Sequence, residues 1–262
     1  MSRYAIVTPH QSAQPHIRCF DLVKDALFFA LKNAGHQVIV QNHPIDDATN
    51  IIIGYHLYDE LPKSNGKIIA YQMEQIPRFY LLEQADEVWE LSKYNVDLLH
   101  LRGIEAHYVP IGFQSSMVFS DAYISPFRPL FYGSMNSRRR NILEHIRFNE
   151  YGIRTIFNLY GKPLYDEIFL AGLVINCHYY KVGLTEQPRL SFLIANRVPF
   201  ITEKSSDDPW PCVPRHTVKN GASLAEYAKA MSTAELMEMA DQSFISFRDH
   251  VSYNEIIANV TS

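Results

Sequence analysis

The sequence lacks the short motifs that mark several large classes of enzyme. Its 262 residues contain no GxGxxG dinucleotide motif, no phosphate-binding P-loop, no GxSxG nucleophile elbow and no HExxH zinc motif. Its adjacent acidic pairs, Asp46-Asp47 and Asp207-Asp208, are typical of turns rather than of a DxD-like metal pair at a strand end. The sequence therefore gives no support for these classes, and it predicts no metal site.

Cysteine, long apolar runs and excess charge are also scarce. The three cysteines are odd in number and widely spaced, so they predict neither a disulfide framework nor a zinc site, and they favour a reducing cytoplasm. No run of 18 apolar residues and no signal peptide occurs, so we expect no transmembrane segment. A net charge of −4 gives no overall field that would attract nucleic acid, and no nucleic-acid partner is expected.

What the sequence does contain is an alternation of short apolar runs and helical patterns. The clearest helical pattern spans residues 19–34, and Gly35 ends it. Such alternation predicts βαβ units, a mostly parallel sheet and an α/β fold. The strands expected in the first half are 4–8, 37–41, 51–54, 67–71, 87–91 and 106–109.

Residues 110–129 interrupt this rhythm with repeated proline and serine, and a strand pattern resumes at Leu130. We therefore predict a linker here between two α/β domains, residues 1–115 and 126–251. Strands are expected at 130–132, 153–158, 173–176 and 198–202. Helices are expected at 136–149, at 163–171, from Glu186 onward, and at 223–231, 233–247 and 254–260.

The segment 133–141, GSMNSRRRN, is the first candidate for anion binding. A glycine turn after a strand, with N-cap candidates behind it, leaves backbone N–H groups free. Three arginines follow on the first helical turn, where cations are unfavourable unless an anion is present, and guanidinium groups match phosphate oxygens. We predict a phosphate site here, with a solvated basic surface as the alternative. Its residues are Gly133, Ser134, Asn136, Arg138 and Arg139, with Arg140 beside them.

A second candidate is the strand–loop–helix–strand pattern between residues 173 and 208. Its polar residues follow the strands and begin the helix, at the edge where open α/β sheets bind ligands. A helix N-terminus suits phosphate, and the Glu186 carboxylate suits ribose hydroxyls. Glu186 could instead pair with Arg189 three residues later, and His178 could be purely structural. The candidate residues are His178, Tyr179, Glu186, Arg189 and Glu203.

The third candidate lies in the first half. Glu74 follows the strand 67–71, and His10 follows the first strand, so both belong to a sheet edge. Either group is a candidate catalytic base or acceptor ligand. The alternative for Glu74 is a surface carboxylate that caps a helix beginning near Ile76.

Four segments resemble GT-B-fold glycosyltransferases of the group-1-like and CgeB-like branch. INCHYY…LTEQPRLSFLIANRVPFITEKSSD resembles their donor-binding region, and FYGSMNSRRRNIL resembles the opening of their second domain. YQMEQIP and ADEVWELSKYNVDLLHLRGIEAHYVPIGF resemble first-domain segments. The similarity covers residues 67–205 in matching order and spacing. The sequence departs from the broader superfamily at Phe192, where glutamate is usual, and at Arg197, where glycine is usual.

The resemblance implies two Rossmann-like domains with mostly parallel sheets facing a cleft, and a C-terminal segment, 252–262, that packs back on the first domain. It implies metal-independent transfer of a sugar from a nucleotide sugar to a glycan or other hydroxyl acceptor, with no separate cofactor. The second domain would bind the donor through the residues named above. The first would bind the acceptor near Glu74 and His10, where an inverting reaction needs a base. A nucleotide-sugar epimerase and a non-catalytic nucleotide- or sugar-binding module are the alternatives.

Overall fold

The computed structural model describes residues 1–10, 15–119, 128–145, 153–181 and 183–262. The chain forms two compact units. Unit 1 comprises Met1–Met117 and Ser252–Ser262, and unit 2 comprises Val118–Val251. Part of the predicted linker, residues 120–127, lies outside the described residues.

Unit 1 is built on a six-stranded sheet in the order β2-β1-β3-β4-β5-β6, with every neighbouring pair parallel. The order reverses between β1 and β3, which makes the carboxyl edge at this point the expected ligand site of the sheet. The strands are β1 (Arg3–Val7), β2 (Gln37–Gln41), β3 (Thr49–Ile53), β4 (Ile68–Gln72), β5 (Glu87–Glu90) and β6 (Ala106–Tyr108). The helices are α1 (Asp21–Asn33), α2 (Phe79–Leu82), α3 (Lys93–His100) and, at the chain end, α9 (Tyr253–Thr261).

Unit 2 is built on a five-stranded sheet in the order β11-β10-β9-β7-β8, again with every neighbouring pair parallel. Here the order reverses between β7 and β9. The strands are β7 (Arg128–Tyr132), β8 (Arg154–Ile156), β9 (Gly172–Asn176), β10 (Phe200–Glu203) and β11 (His216–Val218). The helices are α4 (Ser137–His145), α5 (Lys162–Ala171), α6 (Gln187–Ala195), α7 (Leu224–Ala230) and α8 (Thr233–His250).

The burial of the strands explains why these apolar segments form parallel sheets. Strands β4, β9 and β10 are buried along their whole length, as expected for parallel strands covered on both faces. Helix α1 covers the sheet of unit 1 with one apolar face, and a 3₁₀ turn at Pro15–Phe20 precedes it. The buried residues of α1 are Leu22, Val23, Ala26, Leu27, Ala30 and Leu31.

The prediction of an α/β fold with mostly parallel sheets is confirmed, because every strand pair in both sheets is parallel. The six strands expected in unit 1 all form, with small shifts at their ends. The helix expected near Ile76 was placed wrongly: α2 begins at Phe79 and is one turn long. Strand β11 was missed because three residues of mixed polarity carry too little periodicity. The last residues of the helix expected at 136–149 lie outside the described residues.

The C-terminal segment belongs to unit 1. Helix α9 packs against α1, and a parallel bridge joins Phe113 to Ser252. The buried hydroxyl of Tyr71 donates to the carbonyl of Val109 at 2.8 Å and lies 3.1 Å from the hydroxyl of Tyr253. None of the described helices is long and apolar enough to cross a membrane.

Candidate functional site

The reversal of strand order in unit 2 brings together the loop after β7 and the loop after β9. This edge of an open parallel sheet is where ligands bind. The first loop leads into α4, which carries two of the predicted arginines, and the second leads into α6, which begins next to Glu186. The residues predicted from two separate sequence segments therefore lie in one place.

Arg138 joins α4 to the end of β10. Its Nη2 donates to Oε1 of Glu203 at 2.5 Å and its Nη1 donates to Oε2 at 2.9 Å, which makes a bidentate pair. The same Nη1 donates to the carbonyl of His178 at 2.6 Å, and the His178 amide donates to Glu203 at 2.7 Å. Glu203 is 3% exposed, whereas the side chain of Arg138 is 26% exposed. The hydrogen bonds from Arg138 to Glu203 raise the pKa of Arg138.

Arg139 and Arg189 share the carboxylate of Glu186. Nη2 of Arg139 lies 2.6 Å from Oε1 of Glu186, and Nη1 of Arg189 contacts the other oxygen. Arg139 is buried, and burial lowers its pKa. It also donates to the carbonyls of Cys177 at 2.9 Å and Ser134 at 2.8 Å. The pair between Glu186 and Arg189 that their spacing allowed does form, so a ribose contact of Glu186 stays a prediction.

Gly133 provides the space that Arg189 occupies. The guanidinium of Arg189 lies 4.8 Å from the ring centre of Tyr132, and a Cβ atom at Gly133 would collide with its Nη2. Gly133 has φ 122°, a conformation that side chains disfavour. Its amide donates to the carbonyl of Ile156 at 3.0 Å, so this predicted phosphate donor is already used.

Asn136 and His178 complete the network. The Asn136 side chain accepts from the Arg139 amide at 2.9 Å, as an N-cap does, and donates to the carbonyl of Tyr179 at 2.7 Å. The His178 ring is buried and its Nε2 lies 3.4 Å from Oγ of Ser205, while its Nδ1 has no hydrogen-bond partner among the residues that the structure describes. The site residues predicted in unit 2 thus form two neighbouring hydrogen-bonded groups, one around Glu203 and one around Glu186, and Gly133 lies against Arg189 of the second group.

A cavity of about 380 Å³ opens beside this network, at the carboxyl end of β10 and next to β11. Its volume lies in the usual range of ligand sites. The loop on its rim is held in place, because the amide and hydroxyl of Thr185 donate to Asp207 at 2.8 and 3.0 Å. The sequence predicted a turn at Asp207 and did not predict this cavity. The polar residues directly after β10 could have indicated it. The polar lining residues include Thr202, Glu203, Ser205, Asp207, Arg215 and Thr217.

In unit 1, the corresponding edge carries His10, His56 and Glu74, which follow β1, β3 and β4. His10 is exposed. His56 was not predicted, yet its Nε2 lies 3.4 Å from Oε1 of Glu74. Burial lowers the pKa of His56 to about 4, and the positive charges of His16 and Arg78 act in the same direction.

Glu74 lies on a bend after β4 and is partly exposed. The helix-cap alternative for Glu74 is wrong, since α2 begins after Arg78 and has no side-chain cap. The Gln72 side chain instead braces the backbone of Glu74, donating to its carbonyl at 2.8 Å and accepting from its amide at 3.0 Å. Within the described residues, no group of three or more His, Cys, Asp or Glu side chains is arranged to hold a metal ion.

Comparison with solved structures shows the same fold in glycosyltransferases. An α1,3-fucosyltransferase superposes with a TM-score of 0.55 at 12% identity, over 99% of this chain and 88% of that one. A glycosyltransferase from Rickettsia africae ESF-5 superposes with a TM-score of 0.51 at 10% identity, over 99% and 96% of the two chains. A trehalose-6-phosphate structure from E. coli bound with UDP-2-fluoro glucose gives 0.51 at 10% identity, over 92% and 76%.

No protein-family model matches the sequence, and no curated protein matches it either. At these identities the structural similarity establishes the fold alone. The chain therefore has an α/β fold of two all-parallel sheets, of the kind found in GT-B glycosyltransferases.

Proposed function

We propose that this chain is a metal-independent glycosyltransferase of the group-1-like and CgeB-like branch. It moves a sugar from a nucleotide sugar to a hydroxyl of a glycan or another acceptor. The observation that carries the proposal is the arginine network at the reversal point of unit 2. In this proposal unit 2 is the donor-binding domain and unit 1 is the acceptor domain.

The charge of the network suits a diphosphate. Three guanidinium groups and two carboxylates, those of Glu186 and Glu203, leave one positive charge in excess. Sugar transfer releases a nucleoside diphosphate, so negative charge grows on its phosphate oxygens in the transition state. Cations fixed in advance stabilise that charge. Arg138 is the arginine for direct contact, because it is partly exposed whereas Arg139 is buried.

The cavity beside Glu203 suits the hydroxyl-rich part of the donor. Its lining offers the hydroxyls of Ser205 and Thr217 and the carboxylate of Asp207, which are the groups that hold polyhydroxylated ligands. Because Glu203 lines the cavity and also holds Arg138, the phosphate contact and the cavity are adjacent.

On the acceptor side, Glu74 is the proposed general base, with His10 as the second candidate. Glu74 is a half-exposed carboxylate whose backbone is fixed, which suits a group that must meet an acceptor hydroxyl. The fold neighbours support the proposal: two are named as glycosyltransferases, and the third is bound with UDP-2-fluoro glucose.

The test has two stages. A thermal-shift screen with nucleoside diphosphates and nucleotide sugars identifies the base and sugar, because a bound ligand stabilises the folded chain. Release of the nucleoside diphosphate is then measured with donor alone and with donor plus a panel of hydroxyl acceptors. We expect release that depends on the acceptor. Conversion of the donor without acceptor identifies an epimerase, and binding without turnover identifies a binding module; either result contradicts the proposal.

A further inference from the structure

His56 lies beside the proposed base in a segment without any recognised motif. It follows β3 at the point where the strand order of unit 1 reverses, and Gly54 makes the turn with φ 75°. Its Nε2 is 3.4 Å from Oε1 of Glu74. The two residues come from adjacent parallel strands, β3 and β4, so the register of the sheet sets their approach.

The imidazole of His56 is held more firmly than the carboxylate it approaches. Its side chain is 13% exposed, against 39% for Glu74. The rings of Phe20 and Tyr55 pack edge-on against it, each with centroids 6.0 Å apart. The imidazole therefore has a fixed orientation, whereas a partly exposed carboxylate on a bend has several rotamers available unless a neighbour selects one.

His56 can act as an uncharged hydrogen-bond donor to the carboxylate of Glu74. Burial lowers the pKa of this ring, and the positive charge of Arg78 acts in the same direction, so the ring is neutral near pH 7. A neutral N–H orients a carboxylate and stabilises its ionised form. It does so without the full charge of an ammonium or guanidinium group, which would reduce the basicity of the carboxylate further.

We propose that His56 is a positioning residue that orients the carboxylate of Glu74 toward the acceptor hydroxyl. Gln72 fixes the backbone of Glu74, and Nε2 of His56 selects the side-chain rotamer. This inference rests on the proposed function, in which Glu74 is the base. The 3.4 Å separation shortens to a hydrogen bond when the acceptor is bound, as catalytic contacts often do.

The test compares His56→Phe, which keeps a ring but removes the donor, with His56→Gln, which restores an N–H group near the position of Nε2. We expect His56→Phe to lower kcat by roughly ten- to a hundredfold, with donor affinity and acceptor KM nearly unchanged. The acid limb of its pH–rate profile moves to higher pH, because the ionised carboxylate has lost a donor. His56→Gln recovers much of the rate.

The matched control is His107→Phe. His107 also lies near a glutamate, with 3.6 Å between its Nε2 and Oε1 of Glu87, but Glu87 begins β5 and lies at the opposite edge of the sheet. This variant should transfer at the wild-type rate. In a Glu74→Gln background, His56→Phe should have no further effect, because His56 acts through Glu74.

Three outcomes overturn the inference. In the first, His56→Phe transfers sugar at the wild-type rate while Glu74→Gln is inactive. This result refutes the role of His56 and leaves the proposed function intact. Another is equal loss in His56→Phe and His56→Gln with an unmoved pH profile, which indicates packing alone; melting temperatures show whether both variants fold. The third is wild-type transfer by Glu74→Gln, which removes the base itself while transferase activity remains.

Discussion

The carboxylate of Glu186 and the guanidinium of Arg139 meet at 2.6 Å and join the start of α6 to the first turn of α4. Both groups are largely removed from water, so each depends on the other to offset the cost of burying its charge. Arg189 uses the second oxygen of the same carboxylate. The candidate donor site is therefore part of what holds unit 2 together, and variants at this site must be read for stability as well as for binding.

The first prediction concerns this shared carboxylate. Glu186→Ala leaves two arginines without their partner, and breaking a buried pair in this way should lower the free energy of unfolding by about 3–5 kcal/mol. Glu186→Gln should lose less, because its carbonyl still accepts. Urea denaturation of both variants, with exposed Glu144→Ala on α4 as the control, gives the comparison. A loss no larger than that of the control means that the bridge contributes nothing to stability.

The second prediction separates the arginines of α4. Arg138→Ala should weaken nucleoside diphosphate binding by about 1.5–3 kcal/mol, the range for a hydrogen bond to a charged group. It should leave the affinity for the nucleoside nearly unchanged. Arg140→Ala is the matched control, since Arg140 is the exposed arginine two residues further on. Calorimetric titration measures both, and equal affinities of the two variants would place the phosphate elsewhere.

The sequence predicted the sheets well because parallel strands buried on both faces appear as short apolar runs. It also placed the candidate residues after the strands where the structure has them, because polar residues directly follow those runs. The ion pairs between these side chains could not be predicted. Arg138 and Glu203 are 65 residues apart, and only the side-by-side arrangement of β7, β9 and β10 brings them together. At Arg197, where the family that the sequence resembles usually has glycine, the backbone has a left-handed φ of 51°.

The role of His56 could not be predicted from the sequence, for a different reason. A single histidine after a strand carries no spacing signal, and its approach to Glu74 depends on the register between β3 and β4. The cavity beside β10 was missed for a related reason: it depends on the three-residue strand β11, and on a loop whose order comes from hydrogen bonds to Thr185 and Gly183.

The third prediction concerns Gly133. Gly133→Ala places a side chain at φ 122° and pushes it into the guanidinium of Arg189. We expect a loss of about 1–3 kcal/mol in unfolding free energy from backbone strain alone, with a further loss from the displaced arginine. Gly103→Ala is the control, because Gly103 has φ 75° and open space around it. Equal losses for the two variants would show that Arg189 moves aside without cost.

The fourth prediction concerns metal. Transfer should continue in the presence of a chelator such as EDTA, because fixed guanidinium groups are available to stabilise the charge on the leaving diphosphate. The assay compares initial rates with and without EDTA, and then after adding magnesium or manganese. Loss of activity that is restored by either ion would contradict the metal-independent mechanism and would assign the charge stabilisation to a bound cation.

The fifth prediction concerns acid stability, and it follows from the pKa of His56. Burial lowers this pKa from its usual 6.5 to about 4, and the charges of His16 and Arg78 contribute in the same direction. Between those values the unfolded chain binds a proton at this histidine and the folded chain does not. The stabilising contribution of the neutral ring is therefore complete above pH 6.5 and is lost as the pH falls toward 4.

A difference of this size corresponds to about 3 kcal/mol at most, at 1.36 kcal/mol per pKa unit. The free energy of unfolding, measured by urea denaturation from pH 7.5 to pH 4, should fall less steeply in His56→Phe than in the wild type. Other histidines whose pKa is lowered, such as the partly buried His36 and the buried His216, contribute equally to both proteins and cancel in the comparison. Parallel curves for His56→Phe and the wild type would contradict the prediction. They would mean that the protonated ring of His56 is stabilised in the folded chain, by water or by the Glu74 carboxylate 3.4 Å away.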